Sequence, residues 1–212
     1  MCPAVLYLNT LDSQIRQAIE ILRRGGIVAY PTDTVYGLGA DYLNEDAVAK
    51  VYEVKGRAHR QPISLLLSSV SQISTVALDI PGITWVLAER FLPGGLTLVL
   101  LKSPLVPDLL TGGSGKIAVR VPAHPVPIAL IEGIGAPITG TSANLSGSPS
   151  PVTADEVRQQ LGDRVDLIIN GGRCPGGVDS TVIDLTTSIP RIVREGAIGR
   201  GEIERACGMK VQ

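Results

Sequence analysis

Short apolar runs alternate with amphipathic helical patterns in the first half of the chain, and neighbouring apolar runs crowd the second half. Together they predict an α/β fold: one three-layer domain whose helices flank a twisted sheet of mixed parallel and antiparallel strands. The length of 212 residues suits one domain, and no repeat, low-complexity tract or linker divides it. The domain is expected over 11–205, with 1–10 and 206–212 as terminal segments.

The elements follow in order. "DSQIRQAIEILRRGG" predicts a helix capped by Asp12 or Ser13, with Ile15, Ala18, Ile19 and Leu22 on one face and Gly25-Gly26 as its stop. The strand "IVAY" comes next. "NEDAVAKVYEVKGR" reads as a helix with Asn44 as N-cap, acidic residues in the first turn and Lys55 and Arg57 at the end. "ISLLL" is a strand, "SQISTVAL" a short helix, and "GITWVLAERFL" a helix whose Trp85 and Phe91 are read as core. "LTLVLLK" and "KIAVRVP" are strands joined across "TGGSG". "HPVPIALIEGIG" is a helix with proline in its first turn. "PITGTS" is a strand breaking into "ANLSGSPSPV". "TADEVRQQLG" opens with Thr153 and Glu156 at capping-box spacing. "VDLIIN", "STVIDLT" and "RIVRE" are strands, and "GRGEIERAC" closes the order as a helix.

Composition narrows the function. Nineteen basic against twenty acidic residues give a net charge of −1, which draws no nucleic acid by its overall field. The three cysteines form no CxxC pair, and with only two histidines they do not suggest zinc. Sparse cysteine suits a reducing cytoplasm. "MCPAVLYLNT" lacks a signal pattern, and no apolar run is long enough to span a membrane.

A Ser–His–Asp or Cys–His site would require a histidine base. His59 lies in a basic turn and His124 between prolines, and there is no G-x-S-x-G elbow. Neither a Walker A nor a Rossmann fingerprint is present. "KGRAHR" nevertheless gathers Lys55, Arg57, His59 and Arg60, either as solvated charges at a helix end or as a polyphosphate clamp. Arg120 and Arg194 stand inside apolar strands, on a wet face or aimed into an anion pocket. "GTSANLSGSPS" is either a set of Asx and ST turns or a nest for a phosphate or base. "GGVDSTVIDL" repeats the theme. In "YPTDTVYGLG", three consecutive hydrogen-bonding residues, Thr32, Asp33 and Thr34, point to elaborate capping or a pocket wall.

"YPTDTVYGLG", "KGR", "IAVRVP", "TSANLSG", "GGVDSTVID" and "RIVREGAI" together, in order and spacing from about Ile15 to Ile203, resemble the YrdC-like family. The chain is similar to that family's short form, without a C-terminal extension. The resemblance implies a twisted mixed sheet around a concave basic cavity. It implies a cytoplasmic nucleotidyltransferase that joins L-threonine, bicarbonate or CO₂ and ATP into threonylcarbamoyl-AMP, releasing pyrophosphate with Mg²⁺ on the nucleotide. Downstream proteins would then carry the threonylcarbamoyl group to tRNA adenosine. By the same resemblance Thr34, Arg120 and Ser180 bind threonine. Lys55, Arg57, Gln61, Lys116, Ser142, Asn144, Ser150 and Arg194 bind the nucleotide, and Lys55 and Arg57 are catalytic. No metal ligand is implied. Gln61 stands where relatives carry Asn, Lys116 where they carry a hydroxyl residue, and Leu66 where longer relatives place a histidine. Two alternatives stand beside this: a module that binds tRNA or double-stranded RNA without catalysis, and a carbamoyl-adenylate transfer domain of the hydrogenase-maturation type.

Overall fold

The computed structural model describes residues 3–212, with side chains from Leu11 onward. The elements in chain order are α1 (Pro3–Arg23), β1 (Val28–Tyr30), β2 (Gly37–Gly39), α2 (Glu45–Lys55), β3 (Leu65–Leu66), α3 (Ile73–Val76), β4 (Ala77–Leu78), α4 (Gly82–Phe91) and β5 (Leu96–Lys102). Then come α5 (Asp108–Thr111), β6 (Lys116–Arg120), α6 (Pro125–Ile134), β7 (Ile138–Thr139), β8 (Thr141–Ser142), α7 (Ala154–Leu161), β9 (Leu167–Ile168), β10 (Thr181–Asp184), β11 (Arg191–Arg194) and α8 (Arg200–Cys207).

The strands divide into two mixed sheets. One runs β8-β2-β1-β9; the other runs β11-β10-β5-β6-β3-β7, with β4 on β5. The expected strand "PITGTS" is where they meet. Thr139 pairs with Leu65 of the larger sheet, and Thr141 pairs with Leu38 of the smaller one. Only Gly140 separates them, and a Cβ there would come within 2.7 Å of Leu66 Cγ and Cδ2. The chain changes sheets where a side chain has no room.

Local chemistry accounts for several element ends. Asn44 Oδ1 accepts from Ala47 N at 3.1 Å, and Gly56, with φ 57°, closes α2 in the left-handed region. Thr153 Oγ1 accepts from Glu156 N at 3.2 Å. The Glu156 carboxylate reaches back to Val152 N at 2.6 Å, one residue before the amide a capping box uses. α1 starts earlier than the caps suggested: it runs from Pro3, so Asp12 and Ser13 lie in its interior and the expected boundary at 11 falls within a helix. At the other end Ile192 N donates to Gln212 O and Gln212 N to Pro190 O, which ties the last residue to the start of β11.

The aliphatic core lies between the sheets and their helices, and a second apolar cluster joins Ala18 and Leu22 of α1 to Leu130 and Ile131 of α6. Tyr30 is fully buried in it, its hydroxyl donating to Thr139 O at 2.8 Å. Its ring lies across β2, where a Cβ at Gly37 or Gly39 would come within 2.7 or 2.6 Å of it. That explains the "YGLG" spacing: the glycines let an aromatic ring rest directly on a strand. Phe91 packs against the core as expected, but Trp85 is 40% exposed, because it points away from the face that buries Leu87 and Ala88. No described helix is long and apolar enough to cross a membrane.

Candidate active site

A cavity of about 560 Å³ opens between the larger sheet and the edge formed by the 32–37 turn and β8. Strand alternation builds its floor. Lys116, Ala118 and Arg120 of β6, Thr97 and Val99 of β5, and Val182 and Asp184 of β10 all face it at two-residue spacing. Arg191, Val193 and Arg194 of β11 complete the floor, and Ser180 lies just ahead of β10. Arg57, Ser64, Leu66, Thr141 and Ser142 supply the other wall. Five cationic side chains and two carboxylates line the space, so a near-neutral chain presents a locally positive concavity.

The 32–34 turn is both a cap and a pocket wall. Thr32 Oγ1 donates to Val35 O at 2.7 Å and accepts from Thr34 N at 3.0 Å. Its proton is thereby committed, so Thr34 Oγ1, 3.0 Å away, donates to it. Arg120 Nη1 in turn donates to Thr34 Oγ1 at 2.8 Å, which leaves that hydroxyl one acceptor lone pair toward the cavity. Asp33 accepts from Arg120 Nη2 at 2.6 Å and from Ala123 N at 3.1 Å, and Arg120 Nε donates to Gly94 O at 2.8 Å. Three contacts lock a nearly buried guanidinium and leave two of its five N–H groups for a ligand.

Across the cavity, Arg194 donates through Nε and Nη2 to Ser180 O at 3.1 and 2.9 Å and through Nη2 to Ser180 Oγ at 3.2 Å. Thr97 Oγ1 sits 2.8 Å from Ser180 Oγ. Arg57 is braced on its own turn, Nε to Gln61 O at 3.2 Å and Nη2 to Pro62 O at 2.9 Å. Burial lowers its guanidinium below the ordinary range, Tyr52 opposes this, and the Arg194 charge adds to it.

Lys55 is 1% exposed and lies behind the wall rather than in it. Its ammonium donates to Ser142 O, to Asn144 O at 2.8 Å and to Asn144 Oδ1 at 3.2 Å, so all three protons hold the 142–144 turn in shape. Burial and the nearby Arg57 charge lower its pKa to about 7, against a smaller opposing pull from Asp179. Asn144 is likewise buried, its amide donating to Leu145 O and Ser148 O at 3.0 and 2.7 Å. Ser150 Oγ donates to the Asp179 carboxylate at 3.1–3.2 Å, behind the lining. Gln61 is exposed and outside the cavity. Of the residues singled out from sequence, Thr34, Arg57, Lys116, Arg120, Ser142, Ser180 and Arg194 line the one space, whereas Lys55, Asn144, Ser150 and Gln61 do not.

Sequence reading missed Thr97, Asp184 and Arg191. The two-residue alternation of "LTLVLLK" and "STVIDLT" carried a signal for the first two, since each shares a face with a cavity residue. Asp184 is 3% exposed and accepts from Lys116 Nζ at 2.9 Å and from Thr186 N and Oγ1 at 2.9 and 2.6 Å. Burial pushes its carboxyl up, but the Thr186 and Lys116 contacts outweigh this and hold it below the usual range. His124 is a helix cap, its Nδ1 accepting from Val126 N at 3.2 Å, with burial lowering its pKa. Among the described residues no group of three or more His, Cys, Asp or Glu side chains comes together to hold a metal.

A mixed α/β domain with a cavity lined by guanidinium, ammonium and hydroxyl groups has the chemistry to receive an anionic ligand. The profile of the Sua5/YciO/YrdC family, described as "Telomere recombination", matches residues 20–196, and the chain belongs to that family. It is 46% identical over 195 residues to the threonylcarbamoyl-AMP synthase of Pyrococcus abyssi, covering 92% of this chain and 57% of that protein. It is 43% identical over 205 residues to the threonylcarbamoyl-AMP synthase of Bacillus subtilis, covering 95% of this chain and 58% of that one. Among solved structures, P. abyssi Sua5 complexed with L-threonine superposes with a TM-score of 0.90 at 45% identity, over 93% of this chain and 58% of that one. The chain therefore spans a little under three-fifths of the length of these relatives.

Proposed function

We propose that the chain is a cytoplasmic nucleotidyltransferase. It would make L-threonylcarbamoyl-AMP from L-threonine, bicarbonate or CO₂ and ATP, release pyrophosphate, and hand the product to proteins that modify tRNA. The observation that carries this reading is the single cavity with two differently equipped ends. Thr34 and Arg120 offer one acceptor lone pair and two N–H groups at one end. Arg57, Ser142 and Arg194 gather on other walls of the same space. The names of the relatives and the threonine complex of P. abyssi Sua5 support the choice of amino acid.

On this reading the threonine carboxylate takes the free Arg120 N–H groups, and its ammonium donates to Thr34 Oγ1. Once deprotonated, the amine adds to CO₂ and forms a carbamate. A carbamate oxygen then attacks the α-phosphorus as the bond to the β-phosphate oxygen breaks and pyrophosphate leaves. No side-chain nucleophile takes part; rate comes from positioning and from preorganised cations facing the developing charge. Lys55 acts through Ser142 and Asn144 rather than on the phosphates. Asp184 is taken up by Lys116 and Thr186, so Mg²⁺ would ride on phosphate oxygens, where it neutralises charge.

The alternatives draw less support. Tyr30, Tyr36 and Tyr52 are buried and offer no platform for stacking RNA bases. One assay separates all the readings: pyrophosphate release from ATP and Mg²⁺ in bicarbonate buffer, with threonine, with carbamoyl phosphate, or with neither. Threonine-dependent release is expected. Release dependent on carbamoyl phosphate, or silence coupled with tight RNA binding, would replace the reading.

A further inference from the structure

The proposed reaction strips two protons from the substrate nitrogen, and the guanidinium and ammonium groups around the cavity can accept neither. A base for this step must be open to the cavity and have lone pairs to spare. Two carboxylates line the space, Asp179 and Asp184. Asp184 is spent: Oδ1 accepts twice from Thr186, Oδ2 accepts from Lys116, and its side chain is 4% exposed. Asp33 lies outside the lining and is tied to Arg120 and Ala123 N, and His59 and His124 are outside it too. Asp179 differs, with a side chain 34% exposed. Ser150 Oγ offers one proton to its two oxygens at 3.2 and 3.1 Å, and Arg194 Nη1 stands 3.9 Å from Oδ2, too far for a hydrogen bond. A carboxylate has about four acceptor positions, so most of those on Asp179 stay open.

The fold sets Asp179 beside the amino-acid end. Gly176 N donates to Asp33 O at 3.1 Å and Gly177 N to Thr34 O at 2.9 Å, which pins the segment before Asp179 onto the 32–34 turn. Ser180, the next residue, lines the cavity against Thr97. Asp179 O accepts from Ala197 N at 2.9 Å, and a Cβ at Gly95 would meet both Ala197 Cβ and Thr34 Cγ2, at 2.8 and 3.7 Å. On its other side stands Arg194. The carboxylate thus lies between the hydroxyl that receives the substrate ammonium and an arginine that faces the nucleotide, the interval in which the N–C bond must form.

We propose that Asp179 is the general base of carbamate formation, a role that rests on the threonine and ATP reading of the cavity. Threonine enters as R–NH₃⁺, and one proton leaves to water. The freed lone pair of R–NH₂ forms the N–C bond while a C=O π pair of CO₂ moves onto oxygen, giving R–NH₂⁺–CO₂⁻. Asp179 takes a proton from that nitrogen, so R–NH–CO₂⁻ remains, and the resulting carboxylic acid later returns its proton to water. A positive nitrogen bonded to the new carboxylate carbon holds its second proton weakly, so a carboxylate is base enough to remove it. Ser150 orients the carboxylate from behind and leaves its cavity side free.

Threonine-dependent pyrophosphate release by the wild type, Asp179→Asn and Asp179→Ala, with ATP affinity measured by calorimetry, is the test. Asparagine keeps an acceptor for Ser150 but has no basic oxygen. Its kcat should fall about 10²- to 10⁴-fold, the range for losing a general base, while ATP affinity stays within about twofold. Formate should restore turnover to Asp179→Ala in proportion to its concentration and leave the wild type unchanged, a response that a purely structural role would not produce. Turnover close to wild type in Asp179→Asn would remove the base. A loss of ATP affinity as large as the loss of turnover would assign Asp179 to support of the nucleotide through Ser150 and Arg194 instead. Absence of rescue by formate, with ATP still bound, would leave it an orienting group and overturn the proton transfer. A wild type without threonine-dependent release would overturn the reaction itself, a result distinct from any difference among the variants.

Discussion

Replacing Lys55 with methionine tests whether the buried ammonium supports the 142–144 turn at an electrostatic cost. The drop from 10.5 to about 7 makes the charged form on the order of 5 kcal/mol costlier in the fold than in the unfolded chain. Below pH 7 both states carry the proton. Between about pH 7 and 10.5 the unfolded chain binds a proton that the folded chain has released, so stability rises with pH. Relative to Lys55→Met, the wild type should gain about 1.4 kcal/mol per pH unit in that window, or roughly 3 kcal/mol between pH 7 and 9. Methionine also leaves the oxygens of Ser142 and Asn144 without their donor, at about 1–3 kcal/mol for each buried group left unpaired. Urea unfolding of both proteins at pH 6, 7.5 and 9 measures the gap. A gap independent of pH would mean that the ammonium keeps an ordinary pKa and that holding it behind the 142–144 turn carries no electrostatic cost.

Other substitutions probe separate parts of the cavity. Arg57→Ala should lower threonine-dependent pyrophosphate release on the order of 10²–10³-fold, the scale for losing one preorganised donor; turnover close to wild type would remove it from the reaction. Thr34→Val removes the acceptor between Arg120 and the substrate ammonium, and should raise the KM for threonine roughly tenfold, about 1.4 kcal/mol, with the KM for ATP unchanged. Equal shifts in both constants would show that the turn supports the whole cavity instead. Thr153→Ala should cost about 1 kcal/mol in urea unfolding through loss of the α7 cap, without changing either KM.

Where a signal is local, the sequence alone was enough. Asn44 and Thr153 cap the helices they were expected to cap, because a side-chain oxygen needs only an amide two or three residues on. Six short motifs in register identified the family for the same reason: each is a turn or strand end whose chemistry is written in consecutive residues. Asp12 and Ser13 mark the limit, since a capping residue type does not stop a helix that can continue, and α1 runs on to Pro3. Trp85 shows a second limit, because an aromatic in an apolar stretch says nothing of which way the helix turns.

Long-range geometry decided the rest. Whether Arg120 faced water or a pocket depended on β6 lying between β5 and β3, opposite the 32–34 turn, with Asp33 87 and 90 residues away in the chain from its partners Arg120 and Ala123. Lys55 and Arg57 share one basic turn, yet one is buried behind the wall and the other lines the cavity. Asp184 and Arg191 came to Lys116 only through three pairings that join four strands. Composition and motif thus determined which functional groups this protein has and the family it joins. Tertiary structure determined which of them meet, because a charge's partner and its exposure are set by strands brought together from distant parts of the chain.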